Sequence, residues 1–324
     1  MAKSIARIGI YGDLHLSSKN YGGHRDYPKE TLEILSKITE ITEKRKLTHL
    51  IGLGDFSFGR FHSLEYRLAV EEQLNKQFTL VDGNRYEIFG NHDEAGYGKT
   101  ERDFYISRGL LKPSTNLTLG CVNITMVDYG KTNETAVNII DKQECINVIL
   151  AHDYYKFKNT KLPNFGVAHT LDTLYKWYGA DVLICGHIHK TMEFDGHILD
   201  GNDMAHECHV MYPGCMSRPS YQEGMMDTTG QVIVIEVFDD NTTEITKEIV
   251  QLWDLNDSFN LDAKQAAKDK KLEKENRVDI SDVVKQLDAH DRNVGNPEDM
   301  IKSLSGVDEK YKSKAIALLK NALG

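Results

Sequence analysis

The sequence lacks the features that mark secreted, disulfide-bonded and membrane-spanning proteins. Its cysteines number five, an odd count without a C-x-x-C pair, so free thiols in a reducing compartment are the simplest interpretation. No apolar run approaches the length of a membrane span. The first ten residues contain neither the apolar core nor the cleavage site of a secretory signal. We therefore expect a soluble cytoplasmic protein with no membrane-bound part.

A net positive charge is also absent. Lysine and arginine total 39 against 49 aspartate and glutamate residues, which gives a formal net charge of −10. This balance argues against a broad basic face that wraps nucleic acid. It leaves a nucleic-acid substrate open, because bound cations or a partner protein could supply the phosphate contacts.

Five short apolar runs are each followed closely by polar residues. Runs of this length, rich in isoleucine, leucine and valine, are typical of buried strands. The runs are residues 8–11 before 12–15, 50–53 before 54–55, 86–89 before 90–93, 148–150 before 152–153, and 182–185 before 186–189. Polar residues therefore follow the carboxyl end of every predicted strand in this set.

Helical patterns lie between several of these strands. Residues 27–46 and 63–76 have amphipathic spacing, and 171–178 have a shorter pattern. Strands that alternate with helices predict an α/β fold with functional loops at the strand carboxyl ends. A second set of apolar segments, at 122–127, 208–212, 231–238 and 243–252, has no helices between its members and indicates a second, more antiparallel sheet. The predicted architecture is two packed mixed sheets with helices outside them, a four-layer α/β/β/α sandwich.

The composition changes after Trp253. We assign residues 1–258 to a main domain, 259–278 to a charged linker or helix, and 279–324 to a small helical module. The module has two apolar faces, one formed by Ile280, Val283, Val284 and Leu287 and the other by Ile316, Leu319 and Leu323. Because a module of this size is marginal alone, these faces either fold back on the main domain or dock a partner.

The residues after the five runs are of the types that hold divalent metal ions. The candidate ligands are Asp13, His15, Asp55, Asn91, His152, His187 and His189. Asp13 and His15 are two residues apart in an extended segment and can therefore point the same way. Asp55 supplies a carboxylate able to bridge two ions. A mixed carboxylate and imidazole set suits Mn²⁺, and Fe or Zn would bind as well.

The polar segments form an ordered series of five motifs: Asp-x-His, Gly-Asp, Gly-Asn-His-Asp, a lone histidine after a strand, and Gly-His-x-His. This series resembles the motifs of the calcineurin-like metallophosphoesterase superfamily, and the resemblance covers roughly residues 6–252. The resemblance implies that Asp13, His15, Asp55 and His189 hold one metal ion and that Asp55, Asn91, His152 and His187 hold the other. It also implies that His92 contacts the phosphate and protonates the leaving oxygen, while Asp93 orients or charge-stabilises His92.

Within the superfamily the chain most resembles SbcD-type DNA repair nucleases. Residues 13–16 match their Asp-x-His-Leu opening, and residues 212–220 look like their Tyr-x-Gly-Ser segment. Those nucleases grip a coiled-coil ATPase through C-terminal helices, which implies a DNA substrate and an SbcC-like partner for residues 279–324. A homodimer is also compatible with this reading. Two features depart from the type: Phe58 stands where His or Asp is usual, with His62 nearby, and little chain remains for a DNA-capping domain.

Three interpretations stay open. The first is a DNA exonuclease or endonuclease subunit of recombination or repair. The second is a stand-alone phosphodiesterase or phosphatase for a small molecule or a protein, and the third is a non-catalytic scaffold. Protein phosphatases usually carry Arg near these motifs; Arg60 is present, but Asp93 and Glu94 follow Gly-Asn-His, which favours diesters. Scaffolds of this type tend to lose ligands, and none is lost here.

Other patterns are weaker. The Gly-x-Gly at residues 52–54 resembles a fragment of a dinucleotide fingerprint, but no third glycine follows at the right spacing. His206, Cys208 and His209 are ligand types for zinc, yet without a partner pair a structural or surface role is the better interpretation.

Overall fold

The computed structural model describes residues 2–20, 23–58, 62–93, 99–135, 137, 139–140, 145–160, 168–220 and 229–260, and then 265, 269, 297–303, 309, 312–313 and 316–317. The chain divides into two compact units, Met1–Asn260 and Leu261–Gly324. The helices of the first unit are α1 (Tyr27–Arg45), α2 (Leu64–Leu80), α3 (Glu101–Ser107) and a single turn at Leu255–Ser258. Its strands are β1 (Ser4–Tyr11), β2 (His49–Gly52), β3 (Arg85–Glu87), β4 (Asn116–Leu119), β5 (Val122–Val127), β6 (Ile146–His152), β7 (Tyr155–Lys156), β8 (His169–Thr170), β9 (Val182–Gly186), β10 (Thr191–Leu199), β11 (Ala205–Pro213), β12 (Thr229–Phe238) and β13 (Thr243–Gln251).

Two mixed sheets contain most of these strands. The first has the order β13-β12-β1-β2-β3, and the second has the order β10-β11-β9-β6-β5-β4. Strands β1, β2 and β3 are parallel neighbours, as are β5, β6, β9 and β11. Since the carboxyl ends of parallel neighbours lie at one edge, each sheet collects its functional loops along a single edge.

The alternation of side chains along the strands places the sheets face to face. In β12, Ile233 and Ile235 join one apolar cluster with Val148 and Leu150 of β6, so this cluster fills the space between the sheets. The intervening Val234 joins a second cluster with the buried faces of α1, α2 and α3. The mixed α/β fold with two packed sheets is therefore confirmed.

Local sequence accounts for the boundaries of the long helices. The Asp26 side chain accepts a hydrogen bond from the Lys29 N–H at the start of α1, and Lys46 ends that helix in a left-handed conformation with a φ of 52°. The Ser63 hydroxyl accepts the Tyr66 N–H at the start of α2. Buried side chains of both helices join Val232 and Val234 of β12 in one cluster, so the helices cover the outer face of the first sheet.

The outer face of the second sheet is covered differently from the prediction. The pattern at 171–178 forms two short 3₁₀ helices, Leu171–Thr173 and Tyr175–Trp177, instead of one α-helix. Leu171, Leu174 and Trp177 are all buried, and their spacing of three residues matches the three residues per turn of a 3₁₀ helix. Burial of these side chains therefore favours the tighter winding.

The predicted division of strands between the sheets was wrong. The segments at 122–127 and 208–212 lie in the second sheet, whereas β12 and β13 belong to the first. β12 pairs antiparallel with β1, for example Ile10 with Ile233. This pairing joins segments more than two hundred residues apart, and no local pattern specifies such a partner.

The second unit contains a helix at Pro297–Ser303. The face of Ile280, Val283, Val284 and Leu287, and the positions Leu319 and Leu323, lie outside the described residues. The linker at 259–278 and the module at 279–324 therefore stay predictions.

Candidate metal centre

The seven candidate ligands lie at the carboxyl ends of five strands. Asp13 and His15 follow β1, Asp55 follows β2, Asn91 follows β3, His152 ends β6, and His187 and His189 follow β9. Three of these strands are in the first sheet and two in the second. The centre is thus built by both sheets together.

Left-handed backbone conformations occur at three of these residues. The φ angles are 48° at His15, 49° at Asp55 and 79° at His187. A non-glycine residue in this region costs roughly 1–3 kcal/mol, so surrounding contacts must hold it there. One such contact is the hydrogen bond from the His15 N–H to the Asp55 carbonyl oxygen, at 2.9 Å. The loops after β1 and β2 therefore hold each other in place.

Two glycines allow the loops to approach closely. A Cβ atom at Gly90 would lie 2.2 Å from the backbone nitrogen of Asp55 and 2.3 Å from its Oδ1. A Cβ atom at Gly186 would lie 2.7 Å from Asp13 Oδ1 and 2.8 Å from His152 Nδ1. Any side chain at these positions would push the carboxylates and His152 apart.

We call Asp13, His15, Asp55 and His189 donor group 1. The ligand atoms of these residues all lie within 4.8 Å of one another. His15 Nε2 is 3.0 Å from His189 Nε2 and 3.7 Å from Asp55 Oδ2, and His189 Nε2 is 3.4 Å from Asp13 Oδ2. Asp13, His15 and Asp55 are at most 1% exposed. Two carboxylates and two imidazoles therefore converge, and three of the four residues are buried.

We call Asp55, Asn91, His152 and His187 donor group 2. Asn91 Oδ1 is 2.9 Å from His152 Nε2 and 2.8 Å from His187 Nδ1. Asp55 Oδ1 is 3.5 Å from His152 Nε2. The other ring nitrogen of His152, Nδ1, is 2.7 Å from the Leu53 carbonyl oxygen, which can only accept a hydrogen bond. That bond assigns a proton to Nδ1 and leaves Nε2 to act as a ligand.

The electrostatics of the site suit bound cations. Burial lowers the pKa of His15 to about 4, so this ring is neutral and has a free lone pair. Burial alone would raise the pKa of Asp55, but His152 and His15 outweigh it and hold the pKa well below its usual range. Burial would likewise lower the pKa of His152, yet Asp55 and Asp13 raise it to about 9. The ionised carboxylate of Asp55 thus stabilises the protonated form of His152, and a divalent cation would replace that proton.

His92 lies beside the two groups and faces solvent. Its side chain is exposed, and its ring centroid is 4.9 Å from that of His15 and 5.1 Å from that of Phe58. Its backbone N–H donates to Asp55 Oδ1 at 2.7 Å. The bridging carboxylate therefore fixes the segment that carries this exposed imidazole.

Asp93 points inward. Its carboxylate accepts hydrogen bonds from the backbone N–H groups of Phe56 (3.3 Å), Ser57 (3.4 Å) and Gly90 (3.0 Å). These bonds connect the loop after β2 to the loop after β3, so Asp93 positions Asp55 and Asn91. The predicted action of Asp93 on His92 stays a prediction.

Two residues near the centre were not among the predicted site residues. The Tyr129 ring stacks on the His187 ring, with the ring centroids 6.1 Å apart. The Cys215 sulfur lies within 4.8 Å of ring nitrogens of His15 and His189. Tyr129 follows the carboxyl end of β5, which is parallel to β6. The expectation that functional residues follow the carboxyl ends of parallel strands could therefore have identified it. Burial raises the pKa of Cys215 to about 12, so its thiol is protonated when no cation is bound.

The weaker candidates lie elsewhere. His62 packs against Tyr66 and accepts the Ser18 N–H, and it belongs to neither donor group. His206 binds Asp181 and His209 binds Asp195, so the possible zinc set does not assemble in the part of the chain that the structure describes. Arg60 lies outside the described residues.

The donor set fits two divalent cations. Nitrogen and carboxylate oxygen ligands lie about 2.0–2.2 Å from ions such as Zn²⁺, so donors 3–4 Å apart can surround one ion. Each donor group provides such an array, and the two share Asp55. The ring nitrogens of His15 and His189, which face each other at 3.0 Å, are placed to bind one cation between them.

Fold and site together define a mixed α/β protein with a candidate centre for two divalent cations, and comparison with known proteins gives the family. The sequence profile of the calcineurin-like phosphoesterases matches residues 6–191. The chain therefore belongs to this family of metal-dependent phosphoester hydrolases. The narrower resemblance to SbcD-type nucleases stays a prediction.

The other comparisons add little. A dimetal phosphatase from Danio rerio is similar in structure, with 10% sequence identity, a TM-score of 0.44, and coverage of 78% of this chain and 100% of its own. A similarity at this level supports no inference about the function of this chain. No curated protein matches the sequence. Within the described residues, no helix is both long enough and apolar enough to cross a bilayer.

Proposed function

We propose that the chain is a two-metal phosphodiesterase, activated by Mn²⁺, that cleaves DNA. The observation that carries the proposal is the position of Asp55 between the donor groups. Its Oδ1 is 3.5 Å from His152 Nε2 and its Oδ2 is 3.7 Å from His15 Nε2. A carboxylate in this place can bind both ions and offset their mutual repulsion.

The residues around the ions divide the remaining work. When bound, two divalent ions polarise the phosphoryl group and activate water near neutral pH. The exposed ring of His92 is placed to donate a proton to the leaving oxygen, and the bond from its N–H to Asp55 Oδ1 holds it beside the centre. Asp93 keeps the two loops that carry Asp55 and Asn91 together.

Two observations support a diester such as DNA as the substrate. The residue after Gly-Asn-His is Asp93, whose carboxylate points inward. A positively charged side chain at that position would instead bind the second negative charge of a phosphomonoester. The segment that resembles the Tyr-x-Gly-Ser motif of SbcD-type nucleases also returns to the centre. Within it, the Met216 N–H donates to the Asp13 carbonyl oxygen at 2.8 Å.

A partner ATPase of the SbcC kind belongs to the same proposal. Residues 261–324 form a compact unit of their own, which is a suitable place for a docking element. Because the chain has a formal net charge of −10, a partner would also supply contacts to the phosphates of DNA.

The test is a substrate panel for the purified chain with added Mn²⁺. It compares an aryl phosphodiester, the matching aryl phosphomonoester, and linear single- and double-stranded DNA. We expect Mn²⁺-dependent hydrolysis of the diester and of at least one DNA, with the monoester slower. Asp55→Asn, prepared identically, is the control for contaminating nucleases. A preference for the monoester, with no DNA cleavage above that control, would replace the nuclease with a phosphatase.

A further inference from the structure

The Cys215 thiol lies at the edge of donor group 1. Its Sγ and the ring nitrogens of His15 and His189 are within 4.8 Å of one another. The side chain is 4% exposed, and the Cys215 N–H is 3.4 Å from the His189 carbonyl oxygen. The loop after β11 thus holds a third ligand type beside two imidazoles whose nitrogens already face each other.

The spacing is close to that of a coordination shell. A zinc–sulfur bond is about 2.3 Å and a zinc–nitrogen bond about 2.0–2.1 Å, so a sulfur and a nitrogen on one tetrahedral ion are about 3.6 Å apart. The Cys215 sulfur and the two histidine nitrogens lie within 4.8 Å of one another and reach that spacing after a movement of roughly 1 Å at most. Side-chain rotation alone supplies a movement of this size.

The hydrogen bonds around Cys215 also permit loss of the thiol proton. The S–H donates to the Asp13 carbonyl oxygen at 3.2 Å. The same oxygen accepts the Met216 N–H at 2.8 Å, so it keeps a partner when the thiol proton leaves. Coordination to a divalent ion removes that proton, which passes to solvent.

We propose that Cys215 is a thiolate ligand of donor group 1 and gives that group a preference for a thiophilic ion, such as Zn²⁺ or Co²⁺, over Mn²⁺. The proposal rests on the two-metal function above. Soft thiolate ligands favour zinc, whereas the oxygen and nitrogen ligands of donor group 2 suit Mn²⁺. The centre would then hold two different metals.

Cobalt is the probe for this proposal. The full-length, metal-free chain is titrated with Co²⁺, and absorption is followed in the visible and the near ultraviolet. We expect two bound ions per chain, visible d–d bands from both, and a near-ultraviolet band of thiolate-to-Co²⁺ charge transfer from one. Cys215→Ser should lose only the near-ultraviolet band. Cys145→Ser is the matched control, because Cys145 belongs to neither donor group and, within the described residues, to no other cluster of potential metal ligands.

Metal competition gives a second readout. We expect Cys215→Ser to lower the Zn²⁺ affinity of donor group 1 by about 10- to 100-fold and to leave its Mn²⁺ affinity nearly unchanged. Two bound Co²⁺ ions without the near-ultraviolet band would overturn the role of Cys215 while leaving the two-metal function intact. Loss of the band in Cys145→Ser would likewise overturn it. Fewer than two bound ions would overturn the two-metal function as well.

Discussion

The two donor groups share Asp55 but differ in burial and in charge. Donor group 1 has a second carboxylate, Asp13, and three of its four residues are at most 1% exposed. Donor group 2 has no second carboxylate and uses the neutral amide of Asn91, and both Asn91 and His187 are half-buried. Donor group 1 is therefore more buried and more negative, although its His189 is half-buried, and donor group 2 is more open.

This difference indicates an order of binding. A divalent cation gains more from two carboxylates than from one, and the gain is larger where water is excluded. We therefore expect the first ion to occupy donor group 1. The ion in donor group 2, beside the half-buried His187 and Asn91, would bind more weakly and exchange more readily with solvent.

The most damaging change removes the residue that the two groups share. Asp55→Asn should lower occupancy at both groups and abolish hydrolysis, because one ligand and its charge are lost to both ions at once. Metal analysis of the purified variant measures the occupancy. Asp195→Asn, at a site on β10 outside the described donor groups, is the control. Two fully occupied sites in Asp55→Asn would end the assignment of a bridging carboxylate.

Removal of His92 should separate proton donation from metal binding. We expect His92→Gln to keep both ions and to lose about 10²- to 10⁴-fold in rate on diesters with poor leaving groups. Aryl esters with good leaving groups should lose much less, because their leaving oxygens need little protonation. Equal losses on both substrates, or loss of an ion, would assign His92 another role.

The unequal groups themselves are tested by one variant in each. Asp13→Asn should weaken the tighter step of a Mn²⁺ titration, and Asn91→Ala should weaken only the looser step, each by about 10- to 100-fold. Isothermal titration calorimetry resolves the two steps. If both variants shift the same step, the two groups do not act as separate sites.

The close approach of the loops is tested at Gly90. A Cβ there would lie 2.2 Å from the Asp55 nitrogen, so Gly90→Ala should cost about 1–3 kcal/mol and lower the melting temperature by a few degrees. Gly201→Ala is the control, because a Cβ there meets nothing within 4 Å. Equal melting temperatures for the two variants would show that the loops tolerate separation.

The smallest effect is expected from removal of the second unit. Both donor groups lie within Met1–Asn260, so a chain that ends at Asn260 should stay soluble, keep both ions and hydrolyse aryl diesters normally. Only partner-dependent processing of DNA should be lost. Aggregation, or loss of the basal hydrolysis, would reject the docking role of residues 279–324.

Local patterns predicted the strand ends well. The five apolar runs correspond to β1, β2, β3, β6 and β9, and the seven candidate ligands that follow them lie together in two groups. Such runs are informative because a buried strand must be apolar, and the polar residue that follows it must serve another purpose. Patterns are less informative at 171–178, where the sequence predicts one short helix and the structure has two 3₁₀ helices that bury Leu171, Leu174 and Trp177.

The sequence by itself therefore determined the chemistry: which strands are buried, which ligand types follow them, and which of the 13 histidines stand at strand ends. Tertiary structure alone decided the partners. The pairing of β1 with β12 and the approach of Cys215 to His15 both join segments far apart in the chain. Local propensity acts over a few residues, whereas these contacts depend on how two whole sheets pack, so no local pattern could contain them.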